Sequence, residues 1–443
     1  MKDNKKLGLS AFLPLIVFLA LYVGCGLVFT FMGKESAFSF FPRHVALLAG
    51  IAVALLLAPG MKVAEKLDVL TTNMGNSGVM MIILIYLMAG GFQGAAAAMG
   101  GKESVINMAL TFIPSSLLVP GVFLMCCLIS TAIGTSMGTI AAMAPVAIGV
   151  AIGAGLNVPA TCAAVIGGSY FGDNLSMISD TTISAAQGCG SEMKDKFRTN
   201  LFIALPAAIV AMVLYGIVGG QGAGTVEVGA YNPILVLPYI IVLATALTGM
   251  NVAVVLFIGL LSSGIIGMAM GTVDFFTWIQ GIGGGMSDMF SISIVAALIS
   301  GIIGLIRHYG GIEFIVNAIT SKISNRRGAE YGIGLMSGIL SAAMVNNTIG
   351  IIVTCPMAKE IGGKYGIAPK RMASLVDIFA CAFLALMPHD GGMLIVTELA
   401  GCSPIDVLKY SFYIFALIIS MCVTIQFGLG RTKEEKEFAA ANK

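Results

Sequence analysis

Two aspartates seven residues apart, Asp173 and Asp180, lie in the stretch Gly167–Gln187, GGSYFGDNLSMISDTTISAAQ. Asn174, Ser176, Ser179, Thr181, Thr182 and Ser184 surround them, and apolar segments flank the stretch on both sides. Carboxylates with hydroxyls and amides make a hard oxygen ligand set, suited to Na+, H+ or a polar solute. Hydrocarbon makes every unpaired polar group cost several kcal/mol. Such a segment cannot face lipid, so it must line a cavity or hold a ligand. The competing reading is an ordinary extramembrane loop rich in Ser and Thr. Ionisable residues at membrane depth are functional by default, which favours the site. One aspartate would bind Na+ while the other titrates.

Composition sets the surroundings. Of 443 residues, 58% are hydrophobic and 10% charged, with a mean hydropathy of +0.97, whereas a soluble chain carries about 25% charged residues. The expected class is an all-α polytopic membrane protein, with the lipid bilayer as its solvent. The net charge of +2, with no basic run interleaved with aromatics, gives no nucleic-acid partner. The nine cysteines are scattered without a CxxC pair, and His44, His308 and His389 are too dispersed for zinc. The 27 methionines fit flexible packing better than copper binding. No GxxxxGK[ST] motif occurs, so ATP does not drive this chain and no cofactor is expected. The first apolar run, Leu9–Met32, is too long for a signal peptide and reads as a retained span. Basic residues at both ends (Lys2, Lys5 and Lys6, then Arg431, Lys433 and Lys436) suggest cytoplasmic termini in the inner (plasma) membrane.

The elements that must position the site are short and interrupted. A span needs roughly 20 apolar residues. Two pairs of pieces fall short of that and flank small polar breaks. The first pair, about 119–155, is joined by Thr135–Thr139; the second, about 331–362, by Asn346, Asn347 and Thr348. Such pairs fit re-entrant hairpins that meet in mid-membrane, which adds Thr135, Ser136, Asn346, Asn347 and Thr348 to the candidate ligands. Two broken helices are expected, about 159–187 interrupted at Phe171–Thr182, and about 368–400 interrupted at Pro388–Gly392. The second break brings His389 and Asp390. Other expected pieces are a span over Val105–Leu118, a short surface or interfacial helix over Phe275–Gly285 carrying Trp278, and charged connectors at Lys62–Asp68, Glu192–Arg198 and Lys322–Arg327. Asp377 has no assigned role; it would pair with Lys370, Arg371 or another helix. No Lys or Arg is expected in the site.

The breaks recur. Ser130–Pro145 aligns without gaps to Ser341–Pro356 at a constant offset (356 − 145 = 211), and one gap later Asp180 pairs with Asp390. Residues 1–225 and 226–443 therefore read as two repeats, each giving one hairpin and one broken helix. An inverted repeat would leave this trace. Candidate Na+ ligands are Asp173, Asp180 and Asn347. A bound carboxylate would need helix N-termini, amides or the Na+ itself as counter-charge.

Phe171–Thr182, FGDNLSMISDTT, with GCGSEMKDKF downstream, resembles the NhaC-type sodium/proton antiporter family. Asn346–Pro356, NNTIGIIVTCP, also resembles the Ser-Asn-Thr hairpin tips of the wider ion transporter superfamily, with Asn346 in place of Ser. The resemblance implies a scaffold and a moving, elevator-type transport domain, a homodimer, and coupling to Na+ or H+. Its members differ in cargo, some exchanging Na+ for H+ and others carrying small organic acids or amino acids. The reading is a secondary active transporter rather than an enzyme, carrying a small amino acid or organic acid by symport or antiport. The alternative is a pure Na+/H+ exchanger. A remote alternative, an intramembrane aspartyl protease, fails on its Gly-x-Gly-Asp signature, because Tyr170, Phe171 and Gly172 precede Asp173.

Overall fold

A computed structural model describes residues 7–32, 41–112, 114–177, 179–219, 229–248, 250–432 and Glu435. The described elements are all helical. A 3-10 turn (Gly8–Phe12) leads into α1 (Leu13–Phe31), α2 (Arg43–Leu56), α3 (Val63–Met74), α4 (Ser77–Ala98) and α5 (Gly101–Phe112). There follow α6 (Ser115–Ile133), α7 (Ser136–Gly153), α8 (Val158–Leu175), α9 (Asp180–Cys189) and α10 (Met193–Gly219). Beyond these come α11 (Pro233–Leu247), α12 (Val252–Ala269), α13 (Phe275–Asp288), α14 (Phe290–His308) and α15 (Gly311–Thr320). The chain closes with α16 (Arg326–Met344), α17 (Asn347–Tyr365), α18 (Pro369–Ala385), α19 (Gly391–Ala400), α20 (Pro404–Leu408) and α21 (Phe412–Phe427). Six helical stretches, Ser77–Ala98, Ser136–Gly153, Met193–Val218, Val252–Ala269, Gly8–Gly26 and Phe275–His308, are long and apolar enough to cross a membrane. The protein is a multi-pass membrane protein.

The helices fall into two groups. In one, α6 pairs with α8 and α7, α16 pairs with α18 and α17, and α10 and α21 pack across both sets. The halves interlock: α9 lies on α17, and α19 lies on α7. In the other group α1 packs on α2, α11 on α12, α3 on α14, and α13 on α4. The last two contacts need glycine. A Cβ at Gly90 or Gly94 of α4 would overlap the carbonyls of Gly285 or Gly281 of α13, and one at Gly301 or Gly304 of α14 would strike Met74 or Asn73 of α3. Small residues let backbones meet where lipid supplies no hydrophobic drive.

Several expected boundaries move. Val105–Leu118 is not one span: α5 is described to Phe112, and Pro114, at φ −54° and ψ 137°, is the N-cap from which α6 starts. The first pair of helices, α6 and α7, therefore begins at Ser115, and the second pair, α16 and α17, extends over Arg326–Tyr365. Helix persists through Phe171–Leu175, so the first break is only 176–179. The second break is 386–390, since Asp390 caps α19 and lets Gly391 and Gly392 start it. Phe275–Gly285 is helical and mostly exposed, as a surface or interfacial piece would be. It belongs to α13, and Trp278 is buried, donating to Ser263 Oγ at 3.2 Å. Lys62–Asp68 is more than a connector, since it opens α3. Lys66, 2% exposed, caps α2 by donating to the carbonyls of Leu55 and Leu57 at 2.8 and 2.6 Å. Lys2, Lys5, Lys6, Lys433, Lys436 and the 225/226 boundary lie outside the described residues.

The α4–α13 contact predicts an asymmetry between glycines. Gly94→Val should cost about 1–3 kcal/mol or more through forced separation of the helices. Gly283→Ala, whose Cβ would meet nothing within 4 Å, should leave stability unchanged. Thermal unfolding of the purified variants in detergent checks both.

Candidate functional site

The site starts from two turns of the same shape. After α6, Gly134 takes φ +77°, Thr135 is extended (φ −150°, ψ 124°), and Thr135 Oγ1 accepts from Gly138 N at 3.4 Å to cap α7. After α16, Val345 takes φ +48°, Asn346 is extended (φ −157°, ψ 113°), and Asn346 Oδ1 accepts from Ile349 N at 2.8 Å to cap α17. A β-branched residue in the left-handed region is a genuine outlier, and such strain concentrates at ligand sites. Each turn aims a helix N-terminus, with its unsatisfied N–H groups, at the centre of the molecule.

Asp173, 4% exposed in the last turn of α8, meets the first of these N-termini. Its Oδ1 accepts from Ser136 N at 2.9 Å and its Oδ2 from Ser136 Oγ at 2.5 Å. Its carbonyl accepts from the hydroxyls of Thr181 and Thr182 at 3.3 and 3.2 Å, which ties the two sides of the break together. Ser179 and Thr181 hydroxyls share a bond of 2.9 Å. Asp180, first residue of α9, is exposed. Across the second break, Asp390 Oδ2 accepts from Gly392 N and Met393 N at 3.1 and 3.2 Å. Tyr86 OH, from α4, donates to Gly391 O at 3.0 Å. His389 Nε2 lies 3.3 Å from Ala342 O, so in the neutral ring it carries the proton and the buried Nδ1, without a partner, keeps its lone pair.

These groups line one cavity of about 270 Å³. Thr135, Ser136, Asp173, Ser179, Asp180 and Thr181 contribute from the first half. Asn346, Asn347, Thr348, His389 and Asp390 contribute from the second. Asn347 Oδ1 is buried without a partner, while its Nδ2 meets only Cys381 Sγ at 3.6 Å.

The model of the Na+/H+ antiporter family matches residues 7–220 and 227–430. The chain belongs to the Na+/H+ antiporter family. It is a secondary transporter, not an enzyme. The Na(+)/H(+) antiporter NhaC of Alkalihalophilus pseudofirmus is 26% identical over 389 residues, 78% of this chain and 80% of the relative. The arginine/ornithine antiporter ArcD of Halobacterium salinarum is 21% identical over 390 residues, 80% of this chain and 79% of that one. The malate-2H(+)/Na(+)-lactate antiporter of Bacillus subtilis is 28% identical over 226 residues, 51% of this chain, and the match spans 46% of that relative's length.

Within this antiporter, three expected residues stand behind the cavity wall rather than on it: Asn174, Ser176 and Thr182. Asn174 Nδ2 donates to Tyr413 OH at 3.2 Å, and Thr182 supports the Asp173 carbonyl. The expected absence of Lys and Arg from the site is overturned once, by Arg307, while Lys196 lies behind the wall. Arg307, at the end of α14, lines the cavity. Lys196, fully buried in the first turn of α10, forms a 2.8 Å ion pair with Asp377 of α18. Lys370 and Arg371 do not pair with Asp377; Arg371 pairs with Glu330 at 2.9 Å. Tyr86, Asn73, Asn76 and Ser300 are further lining residues that no sequence motif marked, and Tyr170 lies in the marked stretch without having been singled out. Lys196 did leave a signal: it shares a helix stripe with Asn200, Ala204, Ala207, Ala211 and Tyr215, all buried.

The Ser136–Asp173 contact sets an expectation for the antiporter. Ser136→Ala should cost about 1.5–3 kcal/mol of unfolding free energy, because a hydrogen bond to a buried carboxylate is lost. Ser136→Thr keeps the hydroxyl and should retain most of it. Thermal unfolding reads the difference; equal loss in both variants would point to packing instead.

Proposed function

We propose that this antiporter couples Na+ or H+ to the movement of a small amino acid or organic acid, with Asp173 and Asp180 as the ion-handling carboxylates. The size and lining of the cavity carry the reading. A single ordered water needs only roughly 10–15 Å³, so a space of about 270 Å³ exceeds what one bare ion requires. Its lining includes Asp173, Asp180 and Asp390 as well as Arg307 and the N-terminal residues Asn347 and Thr348 of α17. A solute with both a carboxylate and an ammonium group would find complementary partners in it. Na+ would take Asp173, Asp180 and the free Asn347 Oδ1 as oxygen ligands. Exchange of Na+ for H+ without organic cargo is the second reading, favoured by the NhaC relative.

In this reading residues 1–225 and 226–443 are inverted repeats, α6–α7 and α16–α17 are re-entrant hairpins, and α8–α9 and α18–α19 are broken helices. The reciprocal packing of α9 on α17 and α19 on α7 supports it, as do the matching dihedral angles at the two turns. The group α6–α10 with α16–α21 would move as an elevator against α1–α5 and α11–α15. The resemblance and the basic termini support a homodimer in the inner membrane with both ends cytoplasmic.

Asp173→Asn and Asp180→Asn should each abolish coupled flux, at least 100-fold below wild type, while leaving the protein folded. Proteoliposome transport under an imposed Na+ or H+ gradient measures this. Normal coupling in both variants would remove the assignment. A thermal-shift screen separates the cargo readings: stabilisation by an organic solute only with Na+ present favours cargo, and stabilisation by Na+ alone, weakening as pH falls, favours exchange.

A further inference from the structure

Behind the cavity wall, the ammonium of Lys196 sits in a shell of oxygens. It donates to Asn174 O at 3.0 Å, Thr182 Oγ1 at 2.6 Å and Asp377 Oδ2 at 2.8 Å. These come from three elements: the end of α8, the first turn of α9, and the middle of α18. Asn200 Nδ2 bridges the same two acceptors, Asn174 O and Asp377 Oδ2, at 2.8 and 2.7 Å. Lys196, Asn174, Asn200 and Asp377 are all 0% exposed.

Oxygens here outnumber donors. Asn174 Oδ1 and Asn200 Oδ1 are buried without a hydrogen-bond partner, and Asp377 Oδ1 has none within 3.5 Å, with the Thr181 hydroxyl beside the carboxylate. A buried ion pair stabilises little over well-packed apolar residues, and a pair retained for packing would leave no spare acceptors. A carbonyl at a helix end, a hydroxyl and a carboxylate together are instead the ligands of a hard monovalent cation.

We propose that this cluster is a second monovalent-cation site, separate from the cavity, in which the Lys196 ammonium is the resident cation. Lys196 stands where a bound Na+ would stand, and the site accepts Na+ once the side chain is removed. The chain thus carries its own fixed positive charge against Asp377 and the α8 break, and leaves the exchangeable ion to the cavity. The inference does not depend on which cargo the cavity takes.

The test is the stability of Lys196→Ala, purified as the full chain in detergent, with NaCl titrated against choline chloride at constant ionic strength. The variant should lose several degrees of Tm in choline and recover most of that loss, saturably, as Na+ rises, beyond any response of the wild type. Ethylammonium should rescue it as well. Lys196→Ala/Asp377→Asn should fold without added Na+ and lack the extra response. A Tm deficit of the same size in Na+ and choline would overturn the proposal. So would a Lys196→Ala variant that stays unfolded in NaCl while the double variant folds.

Discussion

The structure depends on keeping a carboxylate in a place that does not welcome one. Asp173 lies inside an apolar helix group, and an unpaired carboxylate there would be far too costly to keep charged. The N-terminus of α7 supplies its partners, with Ser136 giving both its N–H and its hydroxyl. For that N-terminus to reach the centre, α6 must stop and reverse at Gly134 and Thr135. For Asp173 to meet it, α8 must end two residues later, at Leu175. The turn after α6, the end of α8 and the hydroxyls that brace it therefore follow from one electrostatic requirement.

The second half repeats the turn but not the carboxylate. Among the described residues, no acidic side chain bonds to the tip at Asn346–Thr348, and Asn347 faces Cys381 instead. One tip is thus filled by the chain itself while the other stays open to the cavity. The cavity lining thus combines the acids with Arg307 and the amides of the second tip. Asp390, which the sequence pairs with Asp180, spends Oδ2 on capping α19 and so works on the fold as well as in the cavity. Arg43 of α2 pairs with Glu398 near the end of α19, linking the two helix groups.

Much of this is legible in the sequence because hydrocarbon punishes polar groups. Thr135–Ser136, Asn346–Thr348 and the two aspartate-bearing breaks stand out as small polar interruptions in apolar runs, and eleven of the fourteen candidate residues line the cavity (fourteen less Asn174, Ser176 and Thr182). Break lengths are less legible. Phe171–Leu175 stays helical because its one acid, Asp173, turns its side chain to Ser136 and leaves its backbone free to continue. Lys66 is hidden by its neighbours, and Lys196 shows only as one member of a helix stripe. Each sits in a charged run that looks like a solvated connector, and each is drawn inside by distant acceptors: carbonyls of α2 for one, Asp377 for the other. Pairings over 181 residues (377 − 196 = 181) leave no local pattern. Gly281 and Gly285 likewise carry no sequence sign of their partner, and are the close-approach points of α13 on α4.

The account stands or falls on whether the ion is held at Asp173. Equilibrium binding of radiolabelled Na+ to the purified protein, followed as pH is lowered, reads this without any assumption about cargo. Saturable binding that protons displace, and that vanishes in Asp173→Asn while the protein stays folded, is the expected result. Undiminished Na+ binding by Asp173→Asn would contradict it.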